Sequence, residues 1–109
     1  MAYDAGHAEL MKDALGDTPN ITEKKMFGGL CFMLNGHMVC GVHKDGGMAR
    51  VGKAAEADAL LIDGIAPLSF TGRKMGGMVD VSEDVLSDEH RLLKIVTMAL
   101  DYAKSLPPK

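Results

Sequence analysis

The 109-residue chain contains 47% hydrophobic and 25% charged residues, proportions that are ordinary for a globular domain and that exclude an intrinsically disordered chain. Its length predicts a single domain over residues 1–109, with no room for a second core. The net charge of −3 is not that of a protein that binds nucleic acid through its own surface, because such surfaces are normally basic.

The N-terminal residues MAYDAGH have neither the basic nor the apolar region of a signal peptide. No apolar run approaches the roughly 18 residues that a membrane span needs. Cys31 and Cys40 are the two cysteines, too few for a disulfide framework. We therefore expect a cytoplasmic protein with free thiols and no membrane association.

The first predicted element is a helix from Asp4 to Leu15, with Asp4 as its cap and Gly16 as its stop. Two apolar runs, residues 30–34 and 37–42, then flank Asn35-Gly36, and this dipeptide indicates a type I′ β-hairpin. The first strand is expected to begin as early as Lys24, with a bulge or bend at Gly28-Gly29. A further turn leads to a short third strand over residues 48–51.

The second half begins with a predicted helix over residues 53–62, with Ala57, Leu60 and Leu61 on one side. Two strands follow, over residues 67–71 and 75–81. Ser87 is the expected cap of a last helix, whose apolar stripe is predicted to be Leu92, Leu93, Val96, Ala99, Leu100 and Ala103. The order α-β-β-β-α-β-β-α predicts a two-layer α+β fold, an antiparallel sheet with its helices on one face.

The two cysteines are the most reactive candidates in the chain. In a regular two-residue hairpin Cys31 lies opposite Cys40 in a non-hydrogen-bonded pair, with Cα atoms about 4.5 Å apart. Met33 and Met38 are then on the same face as both thiols. This pattern predicts either a redox pair or a soft-metal site for an ion such as Cu(I). The alternative is that these side chains simply fill the core.

The basic residues form two pairs, Lys24-Lys25 and Arg73-Lys74, and each pair precedes a methionine and two glycines. We expect both pairs at the same end of the sheet, as contacts for an anion or for a partner. The alternative is that they are ordinary solvated residues at strand ends.

Enzyme motifs are missing from the sequence. It contains no G-x-S-x-G, no phosphate-binding glycine loop, no H-E-x-x-H and no C-x-x-C. We therefore expect no catalytic residues, no cofactor and no conventional metal site, and we do not expect an enzyme.

Several stretches, in this order and spacing, carry a family resemblance: Lys25-Met26-Phe27-Gly28-Gly29, Leu34-Asn35-Gly36, Leu68-Ser69-Phe70, Gly72-Arg73-Lys74-Met75, and the closing helix with its tail Ser105-Leu106-Pro107-Pro108-Lys109. With them the chain resembles the TfoX/Sxy N-terminal domain family over residues 20 to 109. The resemblance implies a two-layer α+β fold and a non-enzymatic role. The family is named for bacterial regulators of natural competence, in which a C-terminal domain follows, so this chain is expected to be a stand-alone copy.

The sequence thus favours a small regulatory or protein-interaction module. The sequence does not identify the protein partner. A second copy of the chain, bound as a homodimer through a sheet edge or the last helix, is one candidate. A redox or soft-metal sensor at Cys31 and Cys40 is the first alternative. Weak nucleic-acid binding through the two basic pairs is the second.

Overall fold

The computed structural model describes residues 4–26, 29–70 and 73–107, with side chains except at 26, 69–70 and 73–75. Its strands are β1 (Ile21–Met26), β2 (Gly29–Leu34), β3 (His37–His43), β4 (Gly46–Arg50), β5 (Ile65–Phe70) and β6 (Arg73–Val81). Its helices are α1 (Ala5–Leu15), α2 (Lys53–Leu60), α3 (Glu83–Leu86) and α4 (Glu89–Ser105). None of the described helices is both long enough and apolar enough to cross a membrane.

The six strands form one sheet in the order β1-β2-β3-β4-β6-β5, and every neighbouring pair is antiparallel. Each strand therefore pairs with its predecessor in sequence, except that β6 is inserted between β4 and β5. The predicted α+β class, with an antiparallel sheet and helices on one face, is confirmed.

All four helices contribute to a main core between the helix layer and one face of the sheet. The amphipathic α4 supplies the largest share of the helical side chains in this core, namely Leu92, Ile95, Val96, Ala99, Leu100 and Ala103. Their spacing of three and four residues forms one stripe along the helix. A separate, smaller cluster of buried residues contains no helical residue: Cys31, Met38, Met48, Leu68 and Met78.

The hairpin turn at Asn35-Gly36 is as predicted. Both residues have positive φ, 51° and 87°, which is the requirement of a type I′ turn. Beyond the turn, Leu34 pairs with His37 and Met33 pairs with Met38.

A β-bulge then interrupts the hairpin. Phe32 pairs with Cys40, so Val39 has no partner on β2. Val39 and Cys40 are consecutive, yet both are fully buried in the main core. A bulge produces this arrangement because it adds one residue to one strand and breaks the alternation of its side chains.

Two expectations about elements were wrong. Residues 21–34 form two antiparallel strands instead of one bent strand, and Gly29 begins the second of them; Gly28 lies outside the described residues. The last helix is capped by Asp88, because Ser87 ends the additional short helix α3, which Ser82 caps.

Candidate functional site

A groove of about 610 Å³ opens in the helix layer where α1, α3 and α4 meet. Its volume is within the range of roughly 300–1,000 Å³ that is typical of ligand-binding clefts. The described residues that line it are Leu10, Asp13, Ala14, Leu86, Ser87, Glu89, Leu92 and Leu93.

Two side-chain caps position the walls of the groove. The Ser82 hydroxyl accepts a hydrogen bond from the backbone N–H of Val85 and starts α3. Six residues later, the Asp88 carboxylate accepts bonds from the backbone N–H groups of His90 and Arg91 and starts α4. These caps satisfy backbone donors that a helix leaves unpaired, and they fix both helices against α1.

Two leucines in the groove are exposed to solvent. Leu93 is 52% exposed and Leu10 is 39% exposed. The expectation that Leu93 belongs to the buried stripe of α4 was wrong, because the stripe contains Ile95 in its place. Leu93 is displaced by about 100° around the helix axis from Leu92. Both side chains therefore add apolar area to the accessible wall of the groove.

The charge around the groove is negative. Among its described lining residues, Asp13 and Glu89 carry carboxylates and none carries a basic group. Asp88 is close in sequence, and hydrogen bonds donated by Arg91 lower the pKa of its carboxyl group. The Arg91 guanidinium is already held by Asp88 at 2.8 Å and by the Asp63 carbonyl oxygen at 2.8 Å. The groove therefore combines apolar contact area with uncompensated negative charge.

A second hollow, of about 580 Å³, lies between α2 and α4. Leu61, expected on one side of α2 with Ala57 and Leu60, follows the end of that helix and is 83% exposed. The lining has charges of both signs, from Asp58, Asp63, Arg91 and Lys94. This hollow therefore lacks the purely negative charge of the groove. Leu61 is an exposed leucine outside the groove, so its substitution is a matched control for substitution of Leu93.

The expected pairing of Cys31 with Cys40 is wrong. Cys31 pairs with Gly41, and Cys40 pairs with Phe32. The unpaired Val39 shifts the register by one residue, which moves Cys40 to the other face of the sheet relative to Cys31. Accordingly, Cys31 belongs to the smaller cluster and Cys40 to the main core.

Both thiols are free and buried. Burial raises the pKa of the Cys31 thiol to about 11. Burial, and to a lesser extent the Cys31 thiol, raises the pKa of Cys40 as well. The thiolate is the reactive form of cysteine, so neither group is activated near neutral pH. This geometry does not favour a redox pair.

The two basic pairs do not share an end of the sheet. Lys24 and Lys25 are exposed on the edge strand β1. Following the paired residues from strand to strand, Lys25 is aligned with Val81, the last residue of β6. Arg73 and Lys74 begin β6, eight and seven residues before Val81. The side chains of Arg73 and Lys74 lie outside the described part. A role of either pair in binding an anion or a partner stays a prediction.

Two histidines have defined partners that the sequence did not indicate. His43 Nδ1 accepts a hydrogen bond from the backbone N–H of Asp45, so Nε2 is the nitrogen that donates to Asp80 at 2.9 Å. His37 Nε2 contacts the carbonyl oxygen of Pro107 at 2.5 Å. Within the described residues, no three His, Cys, Asp or Glu side chains gather into a metal site.

Comparison with protein families identifies the family of this chain. The model of a family described as the TfoX N-terminal domain matches residues 13–103. The matched segment begins within α1 and ends near the end of α4, so it includes the whole sheet and the described lining of the groove except Leu10. Neither the comparison with curated proteins nor that with solved structures gave a match.

Proposed function

Because this chain belongs to the TfoX N-terminal domain family, we propose that it is a regulatory, non-catalytic module that acts by binding a protein segment in the groove between α1, α3 and α4. The exposed Leu10 and Leu93 beside the carboxylates of Asp13 and Glu89 carry this proposal. The role is of the kind for which the family is named, control of competence.

The groove fits a basic amphipathic helix. A helix that binds in a groove inserts apolar side chains spaced three or four residues apart and leaves its polar side chains at the rim. Leu10 and Leu93 offer contact area for the apolar face. Asp13 and Glu89 complement lysines or arginines at the rim, and such complementarity favours correct encounter over affinity alone. The same charges repel the phosphates of nucleic acid.

The test uses designed helical peptides with identical apolar faces and either lysine or glutamate on the polar face. We expect the basic peptide to bind in a fluorescence anisotropy titration and the acidic peptide not to bind. Amide NMR shifts upon binding should concentrate at residues 10–14 and 86–93. Equal binding of both peptides, or shifts confined to another surface, would contradict the proposal.

Matched leucine variants localise the binding. Leu93→Asp should abolish peptide binding, whereas Leu61→Asp should leave it intact although Leu61 is more exposed. Analytical ultracentrifugation of the same variants measures whether the protein is a homodimer and whether the groove forms its interface. If the protein is a dimer that Leu93→Asp converts to a monomer, the occupant of the groove is a second copy and the basic-helix assignment is wrong.

A further inference from the structure

Sulfur is unevenly distributed between the two faces of the sheet. In the smaller cluster, four of the five buried residues contain sulfur, and the half-buried Met33 packs against them. In the main core, two of the twenty-two buried residues do, Met11 and Cys40, and the partly buried Met98 packs against that core. These counts refer to the described side chains. If methionine served only as a filler of irregular gaps, no such segregation would be expected.

The sulfur residues of the smaller cluster come from four adjacent strands. Met33 and Met38 are direct cross-strand partners on β2 and β3. Met48 is on β4 and Met78 on β6, and the two are two positions apart along that ladder. The four helices contribute nothing to this cluster. Among the described side chains, it is therefore formed by strand residues.

Gly41 lies between Cys31 and Met48. It pairs with Cys31 on one side and with Met48 on the other. Neighbouring strands are about 4.8 Å apart, so the Cα atoms of Cys31 and Met48 are separated by roughly 10 Å with no intervening side chain. A Cβ atom at position 41 would lie only 3.1 Å from Cys31 Sγ, which shows that the thiol leans over the glycine.

We propose that Cys31, together with Met33, Met38 and Met48, forms a binding site for a soft monovalent metal ion, Cu(I), whereas Met78, three strands away from Cys31, packs at the margin of the cluster. Thiolate and thioether sulfur are the ligands that select Cu(I) over harder cations. The half-buried Met33 is the member that an entering ion reaches first.

The charge balance suits a buried location. When Cu(I) binds, the S–H bond of Cys31 breaks, its proton passes to solvent, and the sulfur electron pair forms the S–Cu bond. Copper stays Cu(I), and no electron is transferred. The thiolate and the monovalent ion cancel, whereas the thioethers are neutral, so the occupied site has no net charge. A divalent ion such as Zn²⁺ would leave an uncompensated positive charge in an apolar cluster, which is expensive.

The experiment titrates reduced protein, without oxygen, against a chromophoric Cu(I) chelator. We expect one equivalent of Cu(I) to transfer to the protein and Zn²⁺ not to displace it. Cys31→Ala should weaken binding by more than about 100-fold, since loss of even the outer partners of metal ligands changes affinity by about 10- to 100-fold. Met48→Leu should weaken it by roughly tenfold.

Each variant has a control on the opposite face of the sheet. Cys40→Ala and Met11→Leu alter the main core and should leave Cu(I) affinity unchanged. Circular dichroism verifies that each variant is folded. If Cys31→Ala does not fold, the comparison of Met48→Leu with Met11→Leu decides. Failure of the wild-type protein to take Cu(I) from the chelator would overturn the proposal, as would equal losses on the two faces.

Discussion

Asp88 and Arg91 are joined twice, once through the backbone and once through their side chains. One carboxylate oxygen of Asp88 accepts the backbone N–H of Arg91, and the other accepts its Nε at 2.8 Å. Arg91 Nη1 in turn donates to the carbonyl oxygen of Asp63, between α2 and β5. A single carboxylate thus begins α4 and orients the arginine that connects this helix to the preceding loop.

Substitution of Asp88 should separate these two roles. Asp88→Asn keeps a side-chain oxygen for the cap but loses the charge, so it should lower the unfolding midpoint less than Asp88→Ala does. Hydrogen bonds from Arg91 lower the pKa of Asp88. Its stabilising contribution is therefore complete above the ordinary carboxyl pKa and is lost as the pH falls through the lowered value. Thermal unfolding between pH 2 and 7 measures both effects.

Ser87 provides the control for this prediction. Ser87→Ala should change the unfolding midpoint little, because Ser87 ends α3 and does not cap α4. A Ser87→Ala variant as unstable as Asp88→Ala would show that the cap is assigned to the wrong residue.

Gly41→Ala should destabilise the fold by about 1–3 kcal/mol. The added Cβ would lie 2.7 Å from the carbonyl oxygen of Leu30 and 3.1 Å from Cys31 Sγ, so backbone atoms would have to move. Gly76→Ala is the matched control, since its Cβ would meet only the flexible Lys53 side chain, at 3.1 Å from Cε. In urea unfolding, Gly41→Ala should lower the free energy of unfolding, and Gly76→Ala should leave it unchanged. Similar losses would contradict this account.

Alkaline pH should destabilise the protein through Cys31. Burial raises the pKa of this thiol from 9.0 to about 11, so between these values the unfolded chain loses its proton while the folded protein keeps it. Stability is therefore retained below pH 9 and falls by about 1–3 kcal/mol as the pH rises to 11. Urea unfolding at pH 8 to 11 measures the slope. Cys31→Ala should reduce the slope without abolishing it, because burial raises the pKa of Cys40 as well; an unchanged slope would exclude Cys31 as a cause.

The affinity of the groove for a basic peptide should fall as salt rises. Asp13 and Glu89 are at the rim, and rim charges act mainly through screened, long-range attraction. Asp13→Asn and Glu89→Gln should each weaken binding by about 0.2–1 kcal/mol and reduce its salt dependence. Leu93→Ala should weaken binding without reducing the salt dependence. Anisotropy titrations at several salt concentrations distinguish these effects, and a salt-independent affinity would contradict the charge argument.

The sequence specifies the turns better than it specifies the register. Asn35-Gly36 predicts a type I′ turn directly, because few other dipeptides accept two positive φ angles. The bulge at Val39 has no such signal. Residues 38–42 are Met-Val-Cys-Gly-Val, and a continuous apolar run packs equally well with or without an extra residue. The alternation that normally reveals register is absent there, so a regular hairpin register predicts both cysteines on one face.

The groove was missed for a related reason. Leu92 and Leu93 are both apolar and adjacent in sequence, so each can be assigned to the stripe of α4. Ile95, which is fully buried, settles the choice. Residues 92, 95, 96 and 99 keep the helical period and define the centre of the stripe, so Leu93, about 100° from Leu92, lies at the edge of the stripe. This signal was present in the sequence.

The bulge lets β3 contain one residue more than β2 without exchanging the faces of the strand beyond it. Because Val39 is the extra residue, Cys40 pairs with Phe32 and lies in the main core, where position 39 would lie in a hairpin without a bulge. A relative that lacks this one residue, and with it the bulge, would therefore keep the same partners on β2 and the same side chains in its interior. For this family, the partner on β2, and not the parity of the distance from the Asn-Gly turn, is the quantity to compare before any side chain is assigned a role.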